Sequence, residues 1–328
     1  SPWSRGGWVN SQLFDHTSTL QFLEHFVQNK YNKSTTEENI SAWRRAISGN
    51  LTSTFRPHDG KEPKLAYLNR DKFVVSIQQA RYKETPSNFR KLTPTQIAEV
   101  NNNLSQTEFA SHQEKGIRPA CALPYELYAE GGLSADGTKF ALHMTAADAA
   151  HGKRSMGAPF NVYLHNTHAD ASAGKGMMVA TYTVKAGDTL REELPLSLFA
   201  DGRYAIDVHG PNGFFRSFTG DAQAPAVQVE TAYAQKGSSL TGDVQLKLRN
   251  TGAKPVTVGV KDNSYKSGTV NETIAAGQMA LVDLDLKKNH GWYDFTVRTE
   301  GSKAEARFAG RVETGRSSFS DPLMGSMV

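Results

Sequence analysis

The residues best placed to do chemistry lie near the start of the chain, in Phe14-Asp15-His16-Thr17-Ser18. A carboxylate and an imidazole stand side by side there, followed by two hydroxyl residues of the kind that open helices. The mouth of a helix offers free N–H groups and the positive end of its dipole. An acid and a histidine beside it suit a pocket that holds a phosphate or a metal ion. The same five residues also fit an ordinary helix start with Asp15 and His16 on the surface, and spacing alone leaves both readings open.

The other candidates are looser. His151, His165 and His168, with Asp170, surround a stretch rich in His, Ala and Gly, and the spacing His165-x-x-His168 is one that metals use. Histidines in a solvated loop are the plainer reading. Asp283 and Asp285 alternate with Val282, Leu284 and Leu286, which puts them on the outer face of a strand and not in a catalytic carboxylate pair. Phe214 and Phe215, between Gly213 and Arg216, read as a hairpin with one ring in the core, the other reading being a membrane-touching tip. The single cysteine, Cys121, excludes an intrachain disulfide and is expected as a small buried hydrophobe.

These groups need elements to position them. The chain has 328 residues, 38% of them hydrophobic, with 28 glycines and 13 prolines scattered along it, which fits a folded globular chain of two or three domains. Its formal charge is +4, from 37 basic and 33 acidic residues. No dense basic run marks a nucleic-acid partner; Trp43-Arg44-Arg45 reads as a solvated helix face. No stretch reaches the roughly 18 apolar residues of a membrane-spanning helix.

A first helix is predicted from a cap at Thr17 or Ser18 to about Tyr31, with Leu20, Leu23, Val27 and Tyr31 as its apolar stripe. A second follows Thr35-Thr36, with Glu37 and Glu38 in its first turn, Ile40, Trp43 and Ile47 inward, and Gly49 as its stop. Lys72 to Ser76 reads as a short strand, Thr93 to Asn102 as a short helix, and the tract through Gln106 to Arg118 as connector.

From Pro119 the pattern changes to short alternating runs, as in Phe140-x-Leu142-x-Met144, Leu194-x-Leu196-x-Leu198 and Tyr204-x-Ile206-x-Val208, the signature of antiparallel sheets with one buried face. The pattern then repeats. Gly187, Leu194, Leu196, Gly202, Tyr204, Ile206, Val208 and the closing Phe218-x-Gly220 recur as Gly277, Leu284, Leu286, Gly291, Tyr293, Phe295, Val297 and Phe308-x-Gly310. Two tandem sandwich-like β domains are predicted, 119–222 and 225–314, joined at Pro225 and followed by a tail, 315–328. The first copy is longer between Thr145 and Gly176, and loop insertions are where binding is usually placed.

Residues 1–118 add a resemblance. Ser1-Pro2-Trp3-Ser4-Arg5-Gly6-Gly7-Trp8-Val9, Phe14-Asp15-His16-Thr17-Ser18, Glu37-Glu38-Asn39-Ile40, Trp43-Arg44-Arg45-Ala46 and Gly49-Asn50-Leu51-Thr52-Ser53 resemble the last catalytic stretch of the phosphoesterase family. That family holds bacterial phosphocholine-specific phospholipases C, acid phosphatases and plant non-specific phospholipases C. Gln113 to Ala120 and Leu123-Pro124-Tyr125-Glu126-Leu127 resemble its junction into a C-terminal region, and the tandem copies point to the bacterial phospholipase branch.

The resemblance implies that 1–118 is the α/β end of an alkaline-phosphatase-like catalytic domain. It further implies phosphodiester hydrolysis at a divalent metal, a phospholipid surface as partner, and export to the periplasm or medium. In the wider superfamily a His-Thr or His-Ser pair at such a turn helps to hold metal or phosphate, so His16, beside Asp15, is the site residue the resemblance selects, with a direct metal bond or donation to phosphate both open. The family's nucleophile and its main metal motifs have no counterpart in this sequence. The chain also opens without Met or a signal segment, as a C-terminal portion would, and hydrolysis is expected only with the missing N-terminal catalytic portion. The contrasting reading is a non-catalytic binding module of two β domains, which would have no need of the Asp15-His16 turn; an acid phosphatase is disfavoured by the repeat.

Overall fold

The computed structural model describes all residues except 5, 59, 62–66, 68, 86, 88, 105–106, 110–114, 169–175 and 325–328. The described residues are mostly β-sheet with few helices: α1 (Thr17–Tyr31), α2 (Ala42–Ile47), α3 (Arg70–Ala80) and α4 (Pro94–Asn103) all precede the sheets.

The helices depart from expectation in instructive ways. α1 has the predicted span, but its cap is His16, and neither Thr17 nor Ser18 holds that position. Leu20, Leu23 and Tyr31 on its apolar stripe are exposed. α2 begins later than predicted, because the Ser41 hydroxyl accepts from the Arg44 N–H at 3.3 Å and makes a better cap than the residues before it. Ile40 and Ile47 are buried as expected, whereas Trp43 is 49% exposed; Ile40 lies ahead of α2, so the three side chains do not form one helical face.

Lys72 to Ser76 is helix, not strand: it lies inside α3, where Asp71 in the first turn and Gln78-Gln79-Ala80 at the end outweigh the β preference of Val74-Val75. α4 keeps its predicted place because Thr93 and Gln96 form a reciprocal capping box at 3.3 and 2.9 Å.

The first sheet segment holds β1 (Pro119–Ala120), β2 (Leu127–Leu133), β3 (Lys139–Ala146), β4 (Ala158–Thr167), β5 (Gly176–Val184), β6 (Asp188–Pro195), β7 (Tyr204–His209) and β8 (Phe215–Gly220). The second holds β9 (Val227–Lys236), β10 (Ser239–Asn250), β11 (Val256–Asp262), β12 (Thr269–Ile274), β13 (Met279–Leu284), β14 (Trp292–Thr299), β15 (Glu305–Arg311) and β16 (Ser318–Phe319). β6 stops before the predicted Leu196 and Leu198, which form a 3₁₀ turn directly after Pro195.

The strand order of β2 to β8 recurs in β9 to β15. Small sheets β2-β3-β6 and β9-β10-β13 have the same connectivity, as do the four-stranded sets β5-β4-β7-β8 and β12-β11-β14-β15. Even the backbone of one turn recurs, with Asp201-Gly202 and His290-Gly291 all at positive φ. The two four-stranded sets join edge to edge into one eight-stranded sheet through the antiparallel pair β8–β15, in the register Phe215↔Ala309, Ser217↔Arg307 and Thr219↔Glu305.

The small sheets cover one face of this large one. Phe140 of β3 meets Tyr204 at 4.8 Å and Phe218 at 5.4 Å between ring centroids, and a single apolar core runs from Cys121 to Val312. Cys121 is a buried free thiol, and Phe214 is a core ring with Phe215 at the hairpin surface, as the sequence suggests.

Residues 1–56 are fastened to this body at several points. Val9 forms a parallel bridge with Ala120, and β1 pairs on its other side with β16. The Leu13 N–H donates to the Tyr125 hydroxyl at 3.0 Å. α2 lies against Gly157, where a Cβ would come within 2.6 Å of the Ala46 carbonyl oxygen and 2.4 Å of the Val184 carbonyl oxygen.

Candidate functional site

The turn before α1 uses Asp15 as a fastener. Its Oδ1 accepts from the Thr17 N–H at 2.8 Å and from the Thr17 hydroxyl at 2.6 Å, while Oδ2 receives Arg44 Nη1 at 2.5 Å. The Asp15 N–H in turn donates to the Ser18 hydroxyl at 3.0 Å. Partial burial alone would raise this carboxyl, but the hydrogen bonds from Thr17, Arg44 and Ser48 outweigh it and bring the pKa to about 2, so Asp15 is an anion at any ordinary pH.

His16, one residue on, is exposed, and its ring makes no hydrogen bond to a described residue. Adjacent in sequence, the two residues diverge: Asp15 turns in to Arg44 and His16 turns out to solvent. Thr17 and Ser18 are buried behind them.

Sequence reasoning missed the two arginines. Arg44 and Arg45 are not a solvated face; they clamp the helices together. Arg44 pairs with Asp15, and Arg45 makes a bidentate pair with Glu24 of α1 at 2.8 Å for both nitrogens while its Nη2 also donates to the Glu37 carbonyl at 2.7 Å. The signal available was the match of two basic residues on a short helix to the acids Asp15 and Glu24 upstream, a pairing that only the fold reveals. Beneath the turn, Ser53 donates to the buried Gln12 Oε1 at 2.5 Å and accepts from Asn10 Nδ2 at 2.9 Å, closing a polar floor.

The histidine group does not converge. His151 is buried, with Nε2 at 3.2 Å from the Tyr125 carbonyl, and burial lowers its pKa. His165 pairs with Asp207 at 2.9 Å and His168 is exposed. Asp170 lies outside the described residues. Among the described residues no group of three His, Cys, Asp or Glu side chains could hold a metal ion. With both Asp15 oxygens already engaged, the donors present do not make a metal centre, and no step through a metal is derived for this chain.

The bacterial phospholipase C, C-terminal domain family model matches residues 119–221 and again 225–311, one match over each set of repeated strands. The chain belongs to that family. Beyond the family domain, similarity to bacterial phospholipases C runs along nearly the whole chain. It is 37% identical over 339 aligned residues to a non-hemolytic phospholipase C of Pseudomonas aeruginosa, covering 99% of this chain and 42% of that protein. It is 34% identical to a hemolytic phospholipase C of the same organism, covering 99% of this chain and 44% of that one. A non-hemolytic phospholipase C of Burkholderia pseudomallei is 33% identical over 99% of this chain and 42% of its own length. The chain thus spans about two-fifths of these phospholipases C, and the Asp15-His16 turn lies within the matched part.

Proposed function

We propose that the chain is the C-terminal part of a phospholipase C that hydrolyses phosphatidylcholine to diacylglycerol and phosphocholine, with the nucleophile and the divalent-metal ligands supplied by the remainder of the longer protein. The observation that carries this reading is the similarity over 99% of the chain to proteins that bear the phospholipase C name. In the same reading residues 1–118 are the α/β end of the catalytic domain. The segments 119–222 and 225–314 are two sandwich-like units, each a three-stranded sheet over half of the shared sheet, with 315–328 as a tail. Export to the periplasm or medium accompanies this reading.

The exposed apolar side chains support a partner for the helices. Leu20, Leu23 and Phe26 on α1, with Phe73 and Ile77 on α3, form more bare apolar surface than a finished protein tends to leave. The catalytic portion is the natural cover. His16 then stands at the rim of the pocket, its ring free to bind metal or donate to phosphate, while Asp15 and Arg44 fix the turn that presents it. Contact of the β units with a phospholipid surface completes the proposal.

The test is hydrolysis of p-nitrophenyl-phosphorylcholine. The 328-residue chain alone is expected to be inert, and a longer protein containing it to be active and to lose rate on His16→Ala. Turnover by the isolated chain, or an unchanged rate in the His16 variant, refutes the assignment.

A further inference from the structure

Among the described residues, four strands stand at outer edges of the sheets: β5 and β12 on the large sheet, β6 and β13 on the small ones. An edge carries unpaired N–H and C=O groups, and folded proteins blunt it with charged residues or proline. Three of these edges follow that rule. β6 carries Arg191, Glu192 and Glu193, β12 carries Glu272, and β13 carries Asp283. β5 runs for nine residues, Gly176–Val184, without a charge or a proline.

The side chains of β5 are as bare as its backbone. Met177, Met178 and Val179 are 56%, 42% and 53% exposed. From Met177 to Thr183 the backbone bonds to β4 alone among the described residues. The second repeat shows that the fold does not require these apolar residues. Val162 and Val260 are equivalent, since they pair with the equivalent Val208 and Val297. Their partners on the other side are Ala180 and Val270, so Met177, Met178 and Val179 correspond to Ser267, Gly268 and Thr269. One copy builds this edge from small residues, and the other sets three large apolar side chains in water. Such a patch marks a surface that meets another.

The neighbour at one end of the edge identifies the partner. α2 packs against β5, and Ala46 of α2 and Val184 at the end of β5 both close on Gly157. The bare edge therefore continues the contact that residues 1–56 already make with the β units. Those helices are themselves uncovered, with Leu23 on α1 and Ile77 on α3 exposed. The chain spans 42% of a phospholipase C that it resembles, so more than half of such a protein is left to cover them. Charge sets the kind of surface: an edge with no charge of either sign matches an apolar segment and offers nothing to an acidic or basic one.

We infer that the remainder of the longer protein lays an apolar segment along β5, over Met177, Met178 and Val179, and so clamps the catalytic portion to the first repeat. The inference rests on the reading of this chain as part of a phospholipase C. It gives the first repeat a holding role that the second, with its blunted β12, does not share.

The test is hydrogen exchange read by mass spectrometry, on the 328-residue chain and on a longer protein that contains it. Amides from Met177 to Thr183 are expected to exchange about tenfold faster in the 328-residue chain. Those of Thr269 to Ile274, on the opposite edge, should exchange alike in both. Met177→Lys should leave the melting temperature of the 328-residue chain unchanged and lower that of the longer protein, where the side chain is covered. Equal exchange of β5 in both forms, or a harmless Met177→Lys in both, overturns the inference. A dimer of the 328-residue chain in sedimentation, with β5 protected only in the dimer, also overturns it, because the edge then belongs to a second copy. Hydrolysis of p-nitrophenyl-phosphorylcholine by the longer protein is scored separately. An active protein with β5 open refutes the docking alone, and an inactive one with β5 protected refutes the catalytic reading alone.

Discussion

Arg216 of β8 donates from Nη2 to the Tyr293 hydroxyl of β14 at 3.0 Å, so a fully buried cation of the first repeat rests on a phenol of the second. The same guanidinium donates from Nη1 to the Phe215 and Ala309 carbonyls at 2.8 Å, and its carbon lies 4.2 Å from the Phe214 ring centroid and 5.1 Å from that of Phe308. No carboxylate pairs with it among the described residues; carbonyls and ring faces carry the charge.

Replacing that side chain should therefore loosen both repeats together. Arg216→Ala removes the hydrogen bonds and leaves a void in a continuous core, at an expected cost of about 4 kcal/mol. Thermal unfolding followed by circular dichroism should show one transition for the sheets, shifted down as a whole. Two separated transitions in the variant, with the second repeat unmoved, contradict the coupling.

Glu313 supplies a pH dependence. It is 1% exposed, accepts from the Leu123 N–H at 3.1 Å and Asn212 Nδ2 at 2.8 Å, and stands 3.2 Å from Arg311. Burial outweighs these partners and pushes its carboxyl up to about 7 from the ordinary 4.5. The folded state thus holds the proton more tightly than the unfolded state, and stability falls as the pH rises between those two values. Melting temperatures measured across that range should decline in the parent chain and stay flatter in Glu313→Gln; parallel curves refute the assignment.

At Asp15 the sign is opposite. Its folded value of about 2 lies below the ordinary 3.8, so its stabilisation is complete above the ordinary value and is lost as the pH falls through the folded one. Because Asp15 and Arg44 are 22% and 38% exposed, solvent screens the pair, and Asp15→Asn should cost only about 1 kcal/mol. His16→Ala should leave the melting temperature unchanged, since its ring holds nothing in place. Equal destabilisation by both variants would show that the two residues do not play different parts.

Gly157 tests the seating of α2. An added methyl would meet the Ala46 and Val184 carbonyl oxygens, so Gly157→Ala should cost about 2 kcal/mol. Protease cleavage near α2 should become faster than in the parent chain, and an unaltered cleavage pattern counts against close docking there.

Much of the β architecture was legible because alternation is a local signal. Each of Phe140, Leu142 and Met144 faces the core, and turn pairs such as Asp201-Gly202 recur where the strands recur. The way the strands are shared between repeats was not legible: pairing of β8 with β15 depends on contacts across nearly ninety residues, which no short window contains. α3 was misread because Phe73-Val74-Val75 resembles a strand when its neighbours are ignored. The Asp15-His16 turn was found from residue types, but its partner Arg44 was not, because the ion pair links that turn to α2, and their relative placement is a tertiary fact.

The β8–β15 junction has one more consequence. The register is its own mirror: Phe215 faces Ala309 and Thr219 faces Glu305 about a centre at Ser217↔Arg307, and Ser217 and Arg307 are themselves equivalent positions of the repeat. The contact is isologous, the kind that joins two subunits of a symmetric dimer. A surface consumed in pairing with its own copy leaves nothing to which a third copy could attach, so a duplication built on this edge closes at two. In this protein an internal dimer has been written into one chain, and further repeats would need a different edge.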